Sequence, residues 1–135
     1  MVQCRIDYEG ELHCKITHGP SDASIATDAP KDNMGKGESF SPTDLVGAAL
    51  ASCMVTTMAI VAKRHNFDIK GVTATVQKEM VADPVRRIGK LAVEIKVPMH
   101  VSDEMKTRLE HAANACPVHK SLSLQVEIPV IFHWS

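Results

Sequence analysis

The chemistry available to this chain rests mainly on its four cysteines, and their surroundings differ. Cys116 stands in NACPVHKSL, residues 114–122. The proline after it does not fit a helix interior but suits the first position of a new helix. Cys116 therefore reads either as a helix stop followed by a solvated His119–Lys120 pair or as the N-cap of a short turn. In the second case main-chain N–H groups favour its thiolate, and His119 and Lys120 add positive charge close by. Cys53 lies inside LVGAALASCMVTTMAIVA, Leu45–Ala62, the most apolar run of the chain. Burial there raises a thiol pKa, so Cys53 reads as core unless a cation or hydrogen-bond donors stabilise its thiolate. Cys4 and Cys14 fall in alternating N-terminal segments where cysteine serves as a small hydrophobe. A turn at Glu9–Gly10 would set Arg5 opposite Cys14 and Cys4 opposite Lys15, leaving the two thiols diagonal. Cys53, Cys116 and His119 also offer a thiolate–imidazole donor set suited to zinc, with no fourth ligand in evidence.

The elements that position these residues are well marked. Residues 2–8 and 11–18 alternate about the Glu9–Gly10 pair and predict a β-hairpin. Residues 23–28 predict a third short strand, and the proline- and glycine-bearing stretch after it a loop. Ser41 then reads as a helix N-cap, with Pro42 at the first helical position and Asp44 three residues on, as in a capping box. That helix runs to about His65. Residues 71–81 and 89–97 alternate and form a second hairpin around ADPVRR. Ser102 caps another helix, on which Met105, Leu109, Ala112, Ala113 and Cys116 share one side. The chain closes with a strand over LSLQVEIPVIF, in which Leu122, Leu124, Val126, Ile128, Val130 and Phe132 face one way. The order β-β-β-α-β-β-α-β makes this an α+β protein, read as a single domain over residues 1–135.

Composition narrows the function classes. The chain has 135 residues and a formal net charge of −1, with no basic run, which argues against electrostatic nucleic-acid binding. Five aromatic residues (one Trp, one Tyr, three Phe) give no stacking platform for single strands. The charged, alternating N-terminus does not read as a signal peptide, so the cysteines are expected in a reducing cytoplasm. The uncharged run Leu45–Ala62 approaches the length of a membrane span. It reads instead as a buried central helix, apolar all round because its own protein wraps it.

Two motifs in order, GKGESFSPTDLVGAALASCM and ACPVHKSL, together with the element order, resemble the OsmC/Ohr family of thiol-dependent peroxidases. The resemblance covers nearly the whole chain. It implies an OsmC-like fold in a swapped homodimer, with two long central helices between wrapped sheets and sites at the subunit interface. By position Cys53 matches the peroxidatic thiol and Cys116 the resolving thiol. The implied chemistry is attack of Cys53 on an organic hydroperoxide, giving a sulfenic acid that Cys116 converts to a disulfide. An external thiol reductant, dithiol or thioredoxin-like, then restores both thiols without a bound cofactor or metal. Met54, Val55 and Met58 would suit an alkyl-binding wall and are equally well explained as core.

The departures from the family pattern are specific. The family's helix cysteine is preceded ten residues earlier by a glutamate that pairs with an arginine; here that position is Thr43. Asp44 projects from the opposite face to Cys53, at about 100° per residue. Glu38 in the preceding loop and His119 are the candidate supporting residues. Residues 6–63 contain no arginine, leaving Arg5, Arg86, Arg87 and Arg108. Arg64 lies on the Cys53 face but about 16 Å along the helix. A non-catalytic small-molecule-binding protein on the same fold is the alternative function, since fold alone does not fix activity.

Overall fold

Alternation in the first residues builds a three-stranded antiparallel sheet from β1 (Cys4–Tyr8), β2 (His13–His18) and β3 (Ser24–Asp28). The computed structural model describes residues 1–135, which divide into an N-terminal unit, Met1–Val46, and a C-terminal unit, Gly47–Ser135. The first hairpin does not close at Glu9–Gly10 as the sequence predicts. Gly10, Glu11 and Leu12 all take positive φ, and His13 N–H donates to Gly10 O at 3.0 Å. The longer turn resets the register. Tyr8 now faces Cys14 and Cys4 faces His18, so the two thiols lie at opposite ends of the ladder. A short 3-10 turn, Lys31–Asn33, interrupts the loop that follows β3.

The helix start is where the sequence puts it. Helix α1 spans Pro42–Arg64. Asp44 N–H donates to Ser41 Oγ at 3.0 Å, and Ser41 N–H donates to Asp44 Oδ2 at 2.9 Å. This reciprocal pair satisfies two donors at a helix end that otherwise has no partners for them. Asp44 is thus committed to capping.

In the C-terminal unit β4 (Thr73–Val81) pairs antiparallel with β5 (Arg87–Val97), which pairs in parallel with β6 (Val130–Trp134). A bulge between Glu79 and Met80 admits Gly89, where a Cβ would stand 2.5 Å from Val81 Cγ1. The inner face of α1 (Gly47, Leu50, Ala51, Met54, Met58, Ala62) is buried, as are Leu91, Val93, Ile95 and Val97 of β5. Gly47 permits the close approach, since a Cβ there would lie 3.2 Å from Leu91 Cδ2. Helix α2 (Asp103–Asn114) begins at Ser102, whose Oγ accepts from Met105 N–H at 3.2 Å, and contributes Leu109, Ala112 and Ala113 to the core. Trp134 Nε1 donates to Glu110 Oε1 at 3.0 Å, tying α2 to β6.

One expectation is corrected. The last strand begins only at Val130. Residues Ser123–Val126 form a turn, with Val126 N–H on Ser123 O at 3.1 Å, and Leu124 is fully exposed. Proline at 129 has no N–H for the ladder but offers its carbonyl to Val93 N–H at 2.9 Å. Helix α1 is long and apolar enough to cross a membrane, as the core helix of a folded protein also can be. Only 33% of its apolar stretch is buried within the chain. The outer face, Ala49, Ser52, Thr56 and Ile60, is exposed.

Candidate functional site

Cys53 sits midway along α1 at the edge of its buried face and is half-buried. Its carbonyl accepts the Thr57 hydroxyl at 2.8 Å, one turn on. Cys116 arises from the sharp exit of α2. Ala115 ends that helix, and Pro117 starts the short helix α3 (Pro117–Ser121) at its first position. Cys116 is therefore an N-cap, with extended φ −62° and ψ 146°. Its Sγ accepts the His119 main-chain N–H at 3.3 Å. The side chain is 0% exposed.

The Cys53 thiol is among the groups that act on Cys116. Burial pushes the Cys116 pKa up from its ordinary value of 9.0. The His119 N–H opposes this, the hydrogen-bonded Cys53 thiol adds to the rise, and the Val118 N–H opposes it. Withdrawal from water wins, so at neutral pH Cys116 is a protonated thiol whose main-chain donors stand ready for a negative charge. The site is thus one half-buried thiol against one sealed thiol, both free.

The supporting residues read differently from their sequence expectation. His119 serves Cys116 through its backbone, and Val118 N–H joins it. The sequence signal for both was Pro117, which implied the turn without naming its donors. Glu38 is exposed in the loop before α1, lining an open depression of about 450 Å³ with Gly37, Ser39, Phe40 and Asp44 in the N-terminal unit. Arg5 pairs with Asp7 at 2.9 Å and Arg108 with Glu104 at 2.9 Å. Arg87 turns to the carbonyls of Ile88 and Gln125. No guanidinium is among the groups acting on the Cys116 thiol. Met54 and Met58 are fully buried in the single chain and Val55 is half-buried. No three His, Cys, Asp or Glu side chains converge as a metal-ligand set, so the Cys53–Cys116–His119 arrangement is not formed.

The description OsmC-like protein matches residues 35–130, a span that holds both cysteines and the capped helix. The chain belongs to the OsmC family. A solved structure from Psychrobacter arcticus 273-4, provisionally described as an osmotic stress induced and detoxification response protein, is 41% identical. It superposes with a TM-score of 0.93 over 98% of this chain and 96% of that one. The organic hydroperoxide resistance protein OsmC of Legionella pneumophila shares the fold at TM-score 0.79 and 15% identity, over 98% and 96% of the two chains. So does OhrB of Bacillus subtilis, an organic hydroperoxide resistance protein, at TM-score 0.70 and 19% identity, over 98% and 97%. No curated protein matches at a significant level. This chain thus shares the fold of two organic hydroperoxide resistance proteins and carries two free thiols on it.

Proposed function

We propose that this OsmC-family protein is a thiol-dependent peroxidase for organic hydroperoxides, with Cys53 as the attacking thiol and Cys116 as the resolving one. The observation that carries the reading is a half-buried Cys53 thiol acting on a fully buried Cys116 that caps α3 and accepts the His119 N–H. Cys53 thiolate attacks the outer oxygen of the O–O bond. That bond breaks, leaving Cys53 as a sulfenic acid, and the alkoxide takes a proton to become an alcohol. Cys116 then attacks the sulfenic sulfur as its thiolate, hydroxide leaves with a proton as water, and a Cys53–Cys116 disulfide remains. The His119 and Val118 N–H groups favour the Cys116 thiolate at this step. An external dithiol or thioredoxin-like protein returns both thiols. The chemistry uses no cofactor and suits a reducing cytoplasm.

The working unit of this proposal is a homodimer. No apolar side chain of Met1–Val46 is buried in the single chain, and Ile6, Tyr8 and Ile25 are each more than half exposed. A three-stranded sheet gains stability by packing an apolar face against another element. The uncharged outer face of α1 has the same need, and its small residues allow close helix–helix approach.

A non-catalytic binding role is the second reading, favoured by Thr43 standing where the family pattern calls for glutamate. Stopped-flow consumption of cumene hydroperoxide with excess dithiothreitol separates the two. Sustained turnover that disappears in Cys53→Ser supports the peroxidase. Consumption no faster than dithiothreitol alone supports the binding role.

A further inference from the structure

The seam between α1 and α2 opens into a groove of about 410 Å³ lined by Val61, Thr107, Arg108, His111 and Ala112. Ala112 is too small to fill the space beside Val61, so an apolar hollow remains between the helices. Arg108 and His111, three residues apart, share the face of α2 that borders it. We infer that this groove binds a small monocarboxylate, with its hydrocarbon body on Val61 and Ala112 and its carboxylate on Arg108 and His111. Val61 stands eight residues beyond Cys53, which is about 12 Å along α1. The site is therefore separate from the thiols and independent of the peroxidase reading.

Size, floor and charge each bear on the ligand. The volume falls toward the lower end of the range for small-molecule sites, which suits a short hydrocarbon body. Val61 and Ala112 offer that body no polar side-chain atom, so its burial there is favourable. Thr107 spends its hydroxyl hydrogen on Asp103 O at 3.2 Å, and Glu110 is held by Trp134 Nε1 at 3.0 Å. Arg108 and His111 are left to set recognition at the rim. Arg108 Nη2 donates to Glu104 Oε1 at 2.9 Å, an exposed pair one turn apart that steadies the guanidinium and leaves its other donors available. The His111 ring is exposed and carries no ion pair. A carboxylate takes two guanidinium N–H groups side by side, a geometry that a planar fork favours. A phosphate dianion fits less well, because Glu104 stays beside the same guanidinium.

The test is an NMR titration of the reduced, isotope-labelled full chain with phenylacetate, in the absence of peroxide. Saturable shifts centred on Val61, Thr107, Arg108, His111 and Ala112 are expected. Arg108→Gln should weaken binding by about tenfold, the lower end for one charge-assisted hydrogen bond. Lys120→Gln, which removes a charge outside the groove, should leave the affinity unchanged. Phenylethanol, with a similar body and no charge, should bind about tenfold more weakly than the acid. No saturation up to about 10 mM, or shifts centred on Cys53 and Cys116, overturns the inference. So does an unchanged affinity in Arg108→Gln, equal weakening by both substitutions, or an alcohol that binds as well as the acid. Hydroperoxide turnover moves none of these readouts, so failure of the peroxidase reading would leave the groove's result standing.

Discussion

A thiol moved from water into an apolar wall resists ionisation, and at Cys116 that resistance exceeds the help from two main-chain donors. The consequence for stability has a definite sign. Below the ordinary thiol value of 9.0 the group is protonated in both folded and unfolded chains and contributes no pH dependence. Above it the unfolded chain releases the proton first, so stability falls as pH rises toward the folded value. Urea denaturation from about pH 8 to about pH 10 should therefore show the stability gap between the native protein and Cys116→Ala narrowing. A constant or widening gap would contradict the burial. The turn at Pro117 was legible in the sequence because proline dictates its own backbone. The donors were not, since a main-chain N–H carries no residue signature. Nor was the face of α1 that meets the sheet, because a helix apolar on every side does not mark it.

At the scale of the element, Ser41 and Asp44 show a cap written in four residues and realised by two hydrogen bonds. Ser41→Ala should lower unfolding stability by about 1 kcal/mol, read as a shift in the denaturation midpoint. An unchanged midpoint would mean the cap carries no weight. Gly47→Leu should cost about 1–3 kcal/mol, because Leu91 and Val76 already occupy the space its side chain needs. Strands β4 and β5 were legible because one face of each is covered and the alternation records it. The final segment was not. Its alternation runs from Leu122, but the continuous strand is Val130–Trp134, preceded by an isolated bridge of Glu127 to Lys90 on β5, and Ser123 turns the chain before it. The first hairpin failed for a related reason. Positive φ at Glu11 and Leu12 lengthened the turn, and neither residue type advertises that backbone.

For the whole molecule, the exposed apolar surface of the N-terminal sheet and the outer face of α1 makes self-association the natural complement. Light scattering is expected to give twice the chain mass for the native protein and to show dissociation for Thr56→Lys, which places a charge on the uncovered helix face. A native monomer would remove the dimer from the proposal. The sequence carried the element order and the family motifs, but the apolar uniformity of α1 concealed that the single chain covers just one of its sides.

The central claim is that Cys53 and Cys116 act as one redox pair. It is tested most directly by counting thiols in the reduced protein under anaerobic conditions, with stoichiometric cumene hydroperoxide or hydrogen peroxide, followed by peptide mapping. The expected result is loss of two thiols per peroxide as a Cys53–Cys116 disulfide, formed faster with the organic peroxide, while Cys4 and Cys14 stay free. Survival of all four thiols, or slow oxidation without preference among them, would contradict the account.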